Sequence, residues 1–104
     1  MGTASFSVSK YGTNRGSAAG TAIASTVFAS GAHTTSTSAT NLADAGGAIT
    51  VSIGQVLRIH ADEAMRIRFG GVAATASTGH YISATEMTVI ECAEPGTVSI
   101  IDVA

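Results

Sequence analysis

Apolar residues in the second half of this chain recur at every second position. Ile49, Val51 and Ile53 share one parity against Thr50 and Ser52. Leu57 and Ile59 stand opposite Arg58 and His60. Met65, Ile67 and Phe69 stand opposite Arg66 and Arg68. A two-residue repeat sends alternate side chains to opposite faces of an extended strand, whereas a helix would scatter them around its surface. Side-chain choice agrees: eight Val and nine Ile stand against two Leu, with 14 Thr. Branched side chains fit a pleated sheet and lose rotamer freedom in a helix.

Turn signals cut the alternation into short pieces. Gly54-Gln55 and Gly70-Gly71 each break a run. Glu94-Pro95-Gly96-Thr97 combines a preset φ at proline with a glycine that accepts positive φ. The expected strands are Ala48–Ile53, Val56–Ala61, Ala64–Gly70, Val72–Ala76, Tyr81-Ile82, Met87–Cys92 and Val98–Val103. Two weaker ones, Thr3–Lys10 and Thr21–Ser30, lie in the first half. The expectation is an all-β fold: a small sandwich or jelly-roll-like domain of about eight short strands. Residues 1–46, rich in Ser, Thr, Ala and Gly, read as an extended or weakly structured arm or as edge strands. Residues 47–104 read as the sandwich core, within one domain overall.

Register supplies two further expectations. A two-residue turn at Asp62-Glu63 would set Ile59 opposite Arg66, a core residue beside a charge. The link must then be three or five residues, or the two strands belong to different sheets; a helical turn at Asp62–Met65 is the alternative. A hairpin about Pro95-Gly96 would pair Ile90 with Ile101 and Cys92 with Ser99. The last strand is apolar on both faces, so both are covered, by another subunit or by the chain itself.

Composition narrows the function. Of 47 hydrophobic residues 19 are Ala, so little apolar area supports folding, and help from oligomerisation or a larger partner surface is expected. The formal net charge of −2 offers no basic field for nucleic acid or anionic lipid. No apolar run reaches the length of a membrane helix, and Met1–Lys10 lacks the pattern of a signal peptide. Gly12, Gly16 and Gly20 copy a membrane-helix dimer spacing, but the polar residues between them point to a loop. One cysteine forbids an internal disulfide.

Chemical constellations are sparse. Ser7-Val8-Ser9-Lys10 has a Ser-x-x-Lys spacing, yet on a strand Ser7 and Lys10 face opposite ways. His33, His60 and His80 lack close metal-ligand spacing; convergence with Glu91 or Asp102 on zinc is the alternative. Cys92 sits beside Glu91 and Glu94, which disfavour a thiolate. No catalytic residue, cofactor or metal is expected, and the chain reads as a non-enzyme. Arg58, Arg66 and Arg68 form the only basic cluster, read as a solvated face or as a patch for acidic residues of a partner.

Residues 56–104 add a resemblance. Val56-Leu57-Arg58-Ile59, Met65-Arg66-Ile67-Arg68-Phe69-Gly70-Gly71, Gly79-His80-Tyr81-Ile82, Val89-Ile90-Glu91-Cys92 and Glu94-Pro95-Gly96-Thr97-Val98 resemble small β-rich structural proteins of tailed bacteriophages. In that group an Arg-x-Arg-Phe-Gly-like strand leads through an Ala/Thr loop to a Tyr-Ile strand, and an acidic Pro-Gly turn closes the chain. Residues 1–46 find no counterpart there. The resemblance implies a head decoration or cement protein on the capsid exterior, made in the host cytoplasm. Its partners would be the major capsid protein and its own copies, as a homotrimer. The expected contact residues are Phe6, Val8, Val98 and Ile100 towards neighbours, with Arg58, His60, Arg66 and Arg68 towards the shell. A tail, fibre or baseplate component is the nearest alternative. A carbohydrate-binding sandwich using His80 and Tyr81 is the alternative from another class.

Overall fold

The computed structural model describes residues 2–12 and 22–103; Gly16 and Gly20, expected in a loop, and Arg15 lie outside them. Ten strands follow in chain order: β1 (Thr3–Gly12), β2 (Ala22–Thr34), β3 (Thr40–Asn41), β4 (Ala43–Asp44), β5 (Gly47–Ala48), β6 (Gln55–Ala61), β7 (Met65–Arg68), β8 (His80–Ile82), β9 (Met87–Glu91) and β10 (Ser99–Asp102). One four-stranded sheet has the order β2-β1-β6-β9 and the other β3-β10-β7-β8. Every pairing is antiparallel, and β4 and β5 form a separate ribbon. The chain is all-β, as its periodicity implies.

Chain path explains why two sheets form. The links β1–β2 and β7–β8 stay within a sheet, and the other passages between the main strands cross from one sheet to the other. That winding is jelly-roll-like. The crossing at residues 62–64 resolves the register conflict: β6 and β7 belong to different sheets, so Ile59 and Arg66 never meet. Its geometry is pinned by Thr3, whose N–H donates to Asp62 Oδ1 at 2.8 Å and whose carbonyl accepts from Asp62 N–H at 3.2 Å. No helix occurs among the described residues.

Of residues 1–46, the described ones enter the sheets, β2 as an edge strand, one of the two forms expected. β1 is an interior strand, paired with β2 on one side and along Ala4–Lys10 with β6 on the other. Its alternation decides this. Ala4, Phe6 and Val8 turn inward and are buried, opposite Ala61, Ile59 and Leu57. Ser5 and Ser7 turn outward. Leu42, between β3 and β4, also enters the core fully buried. The same core takes Ile49, Val51, Met65, Ile67, Phe69, Ile82, Val98 and Ile100. The core is closed by the chain itself.

Three expected elements take other forms. Residues 48–53 alternate like a strand, but Ala48 only ends β5 and beyond it a single isolated bridge forms, at Val51. Ile49 N–H goes to Leu42 O at 2.9 Å and Val51 N–H to Gly96 O at 2.9 Å, two unrelated partners. Ile49 and Val51 reach the core, while Ile53 falls in a turn and is 69% exposed. Residues 72–76 form a loop rather than a strand. The hairpin about Pro95-Gly96 does not exist either: Ile90 pairs with Leu57, and Ser99 with Arg68 and Asn41. Gly96 does take a positive φ, 116°, but it bridges Val51 and the segment carries the chain between sheets.

β10 is buried on both faces, and the cover is internal. Ile100 points into the core. Ser99 Oγ accepts from buried Ala74 N–H at 3.0 Å, drawing the loop across the outer side. Buried Asp102 accepts from Thr35 Oγ1, tying β10 to the segment after β2.

Truncation at two similar-looking isoleucines separates this fold from the simple alternation. Ile59→Ala, at a fully buried site, should lower unfolding free energy by about 2–5 kcal/mol. Ile53→Ala should change it by less than about 0.5 kcal/mol. Urea unfolding followed by circular dichroism measures both.

Candidate functional site

Outward side chains on the β2-β1-β6-β9 sheet form two rows fixed by strand register. One row runs Ser30, Ser7, Arg58, Val89; the next runs Ala32, Ser5, His60, Met87. The face is therefore small and hydroxylated on β2 and β1, cationic at Arg58, and apolar at β9. Met87 and Val89 are 52% and 54% exposed at this margin. A shallow depression of about 210 Å³ lies between Ser5, Ser7, Arg58, His60 and Met87, floored by Phe6. Serine and alanine keep the surface low, so a flat partner can approach the backbone closely.

The three arginines do not form one cluster. Arg58 lies on β6 of this sheet, while Arg66 and Arg68 lie on β7 of the other. Their shared parity in the sequence becomes outward projection on opposite sides of the sandwich. Arg66 has a structural task. Its Nε donates to Ala76 O at 3.1 Å and a terminal nitrogen donates to Gly79 O at 3.0 Å. The guanidinium also lies 5.4 Å from the centre of the Tyr81 ring. Gly79 makes this closure possible: at φ 118°, an added Cβ would stand 2.6 Å from Ile67 O. Arg68 is exposed beside them.

The expected apolar contact residues are also placed elsewhere. Phe6, Val8, Val98 and Ile100 are all buried within the chain. They hold the sheets together and offer nothing to a neighbour. Arg58 and His60 remain on a common surface. The sequence did not single out Met87 and Val89 as its apolar component; only their pairing beside His60 and Arg58 reveals it.

His80 and Tyr81 do not act as a pair. They are consecutive on β8, so their side chains leave on opposite faces. The His80 ring stands edge-on to Phe69, with centroids 6.0 Å apart, and Tyr81 stacks with Arg66. His33 bonds Thr40 Oγ1 through Nε2 at 2.8 Å, and burial holds its pKa below the usual histidine value. No group of three or more His, Cys, Asp or Glu among the described residues could hold a metal ion. Ser7 and Lys10 share the extended strand β1. Burial pushes the Cys92 thiol up, Glu91 adds to the rise, and a backbone hydrogen bond at Leu57 opposes it. The thiol is thus kept protonated inside the core. No protein family, curated protein or solved structure matches the chain.

Two measurements probe these assignments. Arg66→Ala should cost about 1–2 kcal/mol by releasing the 76–79 loop, whereas Arg68→Ala should stay within about 0.5 kcal/mol. Thermal or urea unfolding compares them. Cys92 should resist alkylation at pH 8.5 in the folded protein and react fully in denaturant, as followed by mass spectrometry; rapid native alkylation would contradict its burial.

Proposed function

We propose that this chain is a structural virion protein of the capsid-decoration type, which binds the major capsid shell through the outer face of the β2-β1-β6-β9 sheet. The observation that carries the reading is the pair of register-aligned rows from Ser30 and Ala32 to Val89 and Met87. They make a broad surface with one central cation and one apolar margin. Such a surface suits a flat protein partner. Arg58 offers a bidentate fork to a carboxylate of the shell. Met87 and Val89 supply apolar contact area, with the adaptable methionine meeting an irregular surface. The serines permit close approach and share hydroxyl hydrogen bonds. The resemblance of residues 56–104 to tailed-phage virion proteins supports the same assignment.

Co-sedimentation tests it. The probe is expanded, DNA-free shells assembled from the major capsid protein of a tailed phage. The wild-type chain should pellet with shells. Arg58→Glu combined with Met87→Ser should weaken binding at least about tenfold while preserving the circular dichroism spectrum. Arg68→Glu, on the opposite sheet, should bind like wild type. Absence of wild-type binding, or loss of binding only in Arg68→Glu, would overturn the proposal. Particle imaging that placed the chain on the tail would replace the head assignment with the tail one.

A further inference from the structure

Each main sheet ends in two edge strands, and three of the four edges are guarded. β3 and β8 have two and three residues. β9 has five, with Glu91 at one end and Glu86 just before the other. Short length and edge charge are devices by which sheets avoid recruiting foreign strands. β2 differs. It runs for 13 residues and, among the described residues, pairs with β1 alone. It contains no Asp, Glu, Lys, Arg or Pro.

Within β2 the register defines where an added strand would bind. Pairing with β1 is regular from Ala29 to Thr34; it shifts at Phe28, and again further towards Ala22. Those irregularities blunt the early part of the edge and leave Ala29–Thr34 as its flat part. Thr35 N–H donates to Gly2 O at 2.8 Å, so residue 35 faces β1. Antiparallel alternation then turns the N–H and C=O groups of Thr34, Ala32 and Ser30 away from β1, towards the open edge. The side chains of these three residues are small, uncharged and exposed. β4 leans on the inner side near Gly31, where Asp44 Cα lies 3.5 Å from the place of a Gly31 Cβ, but it does not pair with β2. Beside the flat stretch, Val27 and Phe28 are 55% and 54% exposed.

We propose that Ala29–Thr34 is a self-association edge, at which a second copy of this chain adds its own β2 antiparallel across a twofold axis. The occupant follows from charge. An uncharged strand meets no like charge when it pairs with itself, in any register. The β9 edge of another copy would bring Glu86 and Glu91 against a strand with no cation to meet them, which disfavours a head-to-tail ring. The twofold pair joins two four-stranded sheets into a continuous one. It replaces the threefold that the resemblance implied. The inference stands whether or not the chain binds a capsid.

Sedimentation equilibrium of the full chain and hydrogen exchange test it together. The mass should rise from monomer towards dimer between about 10 and 500 µM. Over the same range, amide exchange at Ser30, Ala32 and Thr34 should slow. Ala32→Lys sets two cations against each other near the axis and should raise the dimer dissociation constant at least about tenfold. Val72→Lys, at an exposed loop site on the other sheet's side, should leave that constant unchanged. Wild-type exchange reports on the edge even if Ala32→Lys unfolds. A monomer at the highest concentration, a trimer, or a dimer whose three edge amides exchange at the same rate throughout would overturn the proposal.

Discussion

The molecule depends on β1 lying between β2 and β6. That position joins the hydroxyl-rich first half to the aliphatic second half through one hydrogen-bonded sheet. It also sets three apolar side chains, Ala4, Phe6 and Val8, against Ala61, Ile59 and Leu57. Without β1, β6 would lose one of its two neighbours and the core would open beside Ile59. Burial of apolar area supplies the driving force, and the β1–β6 ladder determines which area is buried.

Much of this arrangement is legible in the sequence as facing, and little of it as partnership. Alternation at Leu57/Ile59 and at Met65/Ile67/Phe69 assigns each residue to the inside correctly. It even excludes a tight β6–β7 hairpin, because Arg66 would meet Ile59. Alternation carries no information on which strand lies alongside. A hairpin register therefore puts Ile90 opposite Ile101, whereas its partner across the sheet is Leu57. The run 48–53 shows a related limit. Its parity is right at Ile49 and Val51, but hydrogen bonds to Leu42 and Gly96 prevent a continuous ladder. Residues 1–46 are the least legible because Ser5 and Ser7 make β1 look polar. Its inward side chains matter only once β6 and β2 stand beside it.

The candidate surface follows the same logic. Arg58, Arg66 and Arg68 look equivalent when read as one polar stripe. Passage of the chain between sheets at residues 62–64 sends Arg58 one way and its two companions the other. Arg66 then serves the 76–79 loop. Met87 and Val89 gain their meaning from lateral neighbours, since register places them beside His60 and Arg58. Function on a sheet face is thus written across strands, along a direction the linear order of residues does not follow.

Sheet order also governs when the molecule can assemble. β10 occupies the interior of its sheet, between β3 and β7, although it follows every other strand of the two sheets along the chain. Until it docks, β3 has no ladder partner and β7 is paired on one side only. Docking of β10 is therefore the step that closes the second sheet.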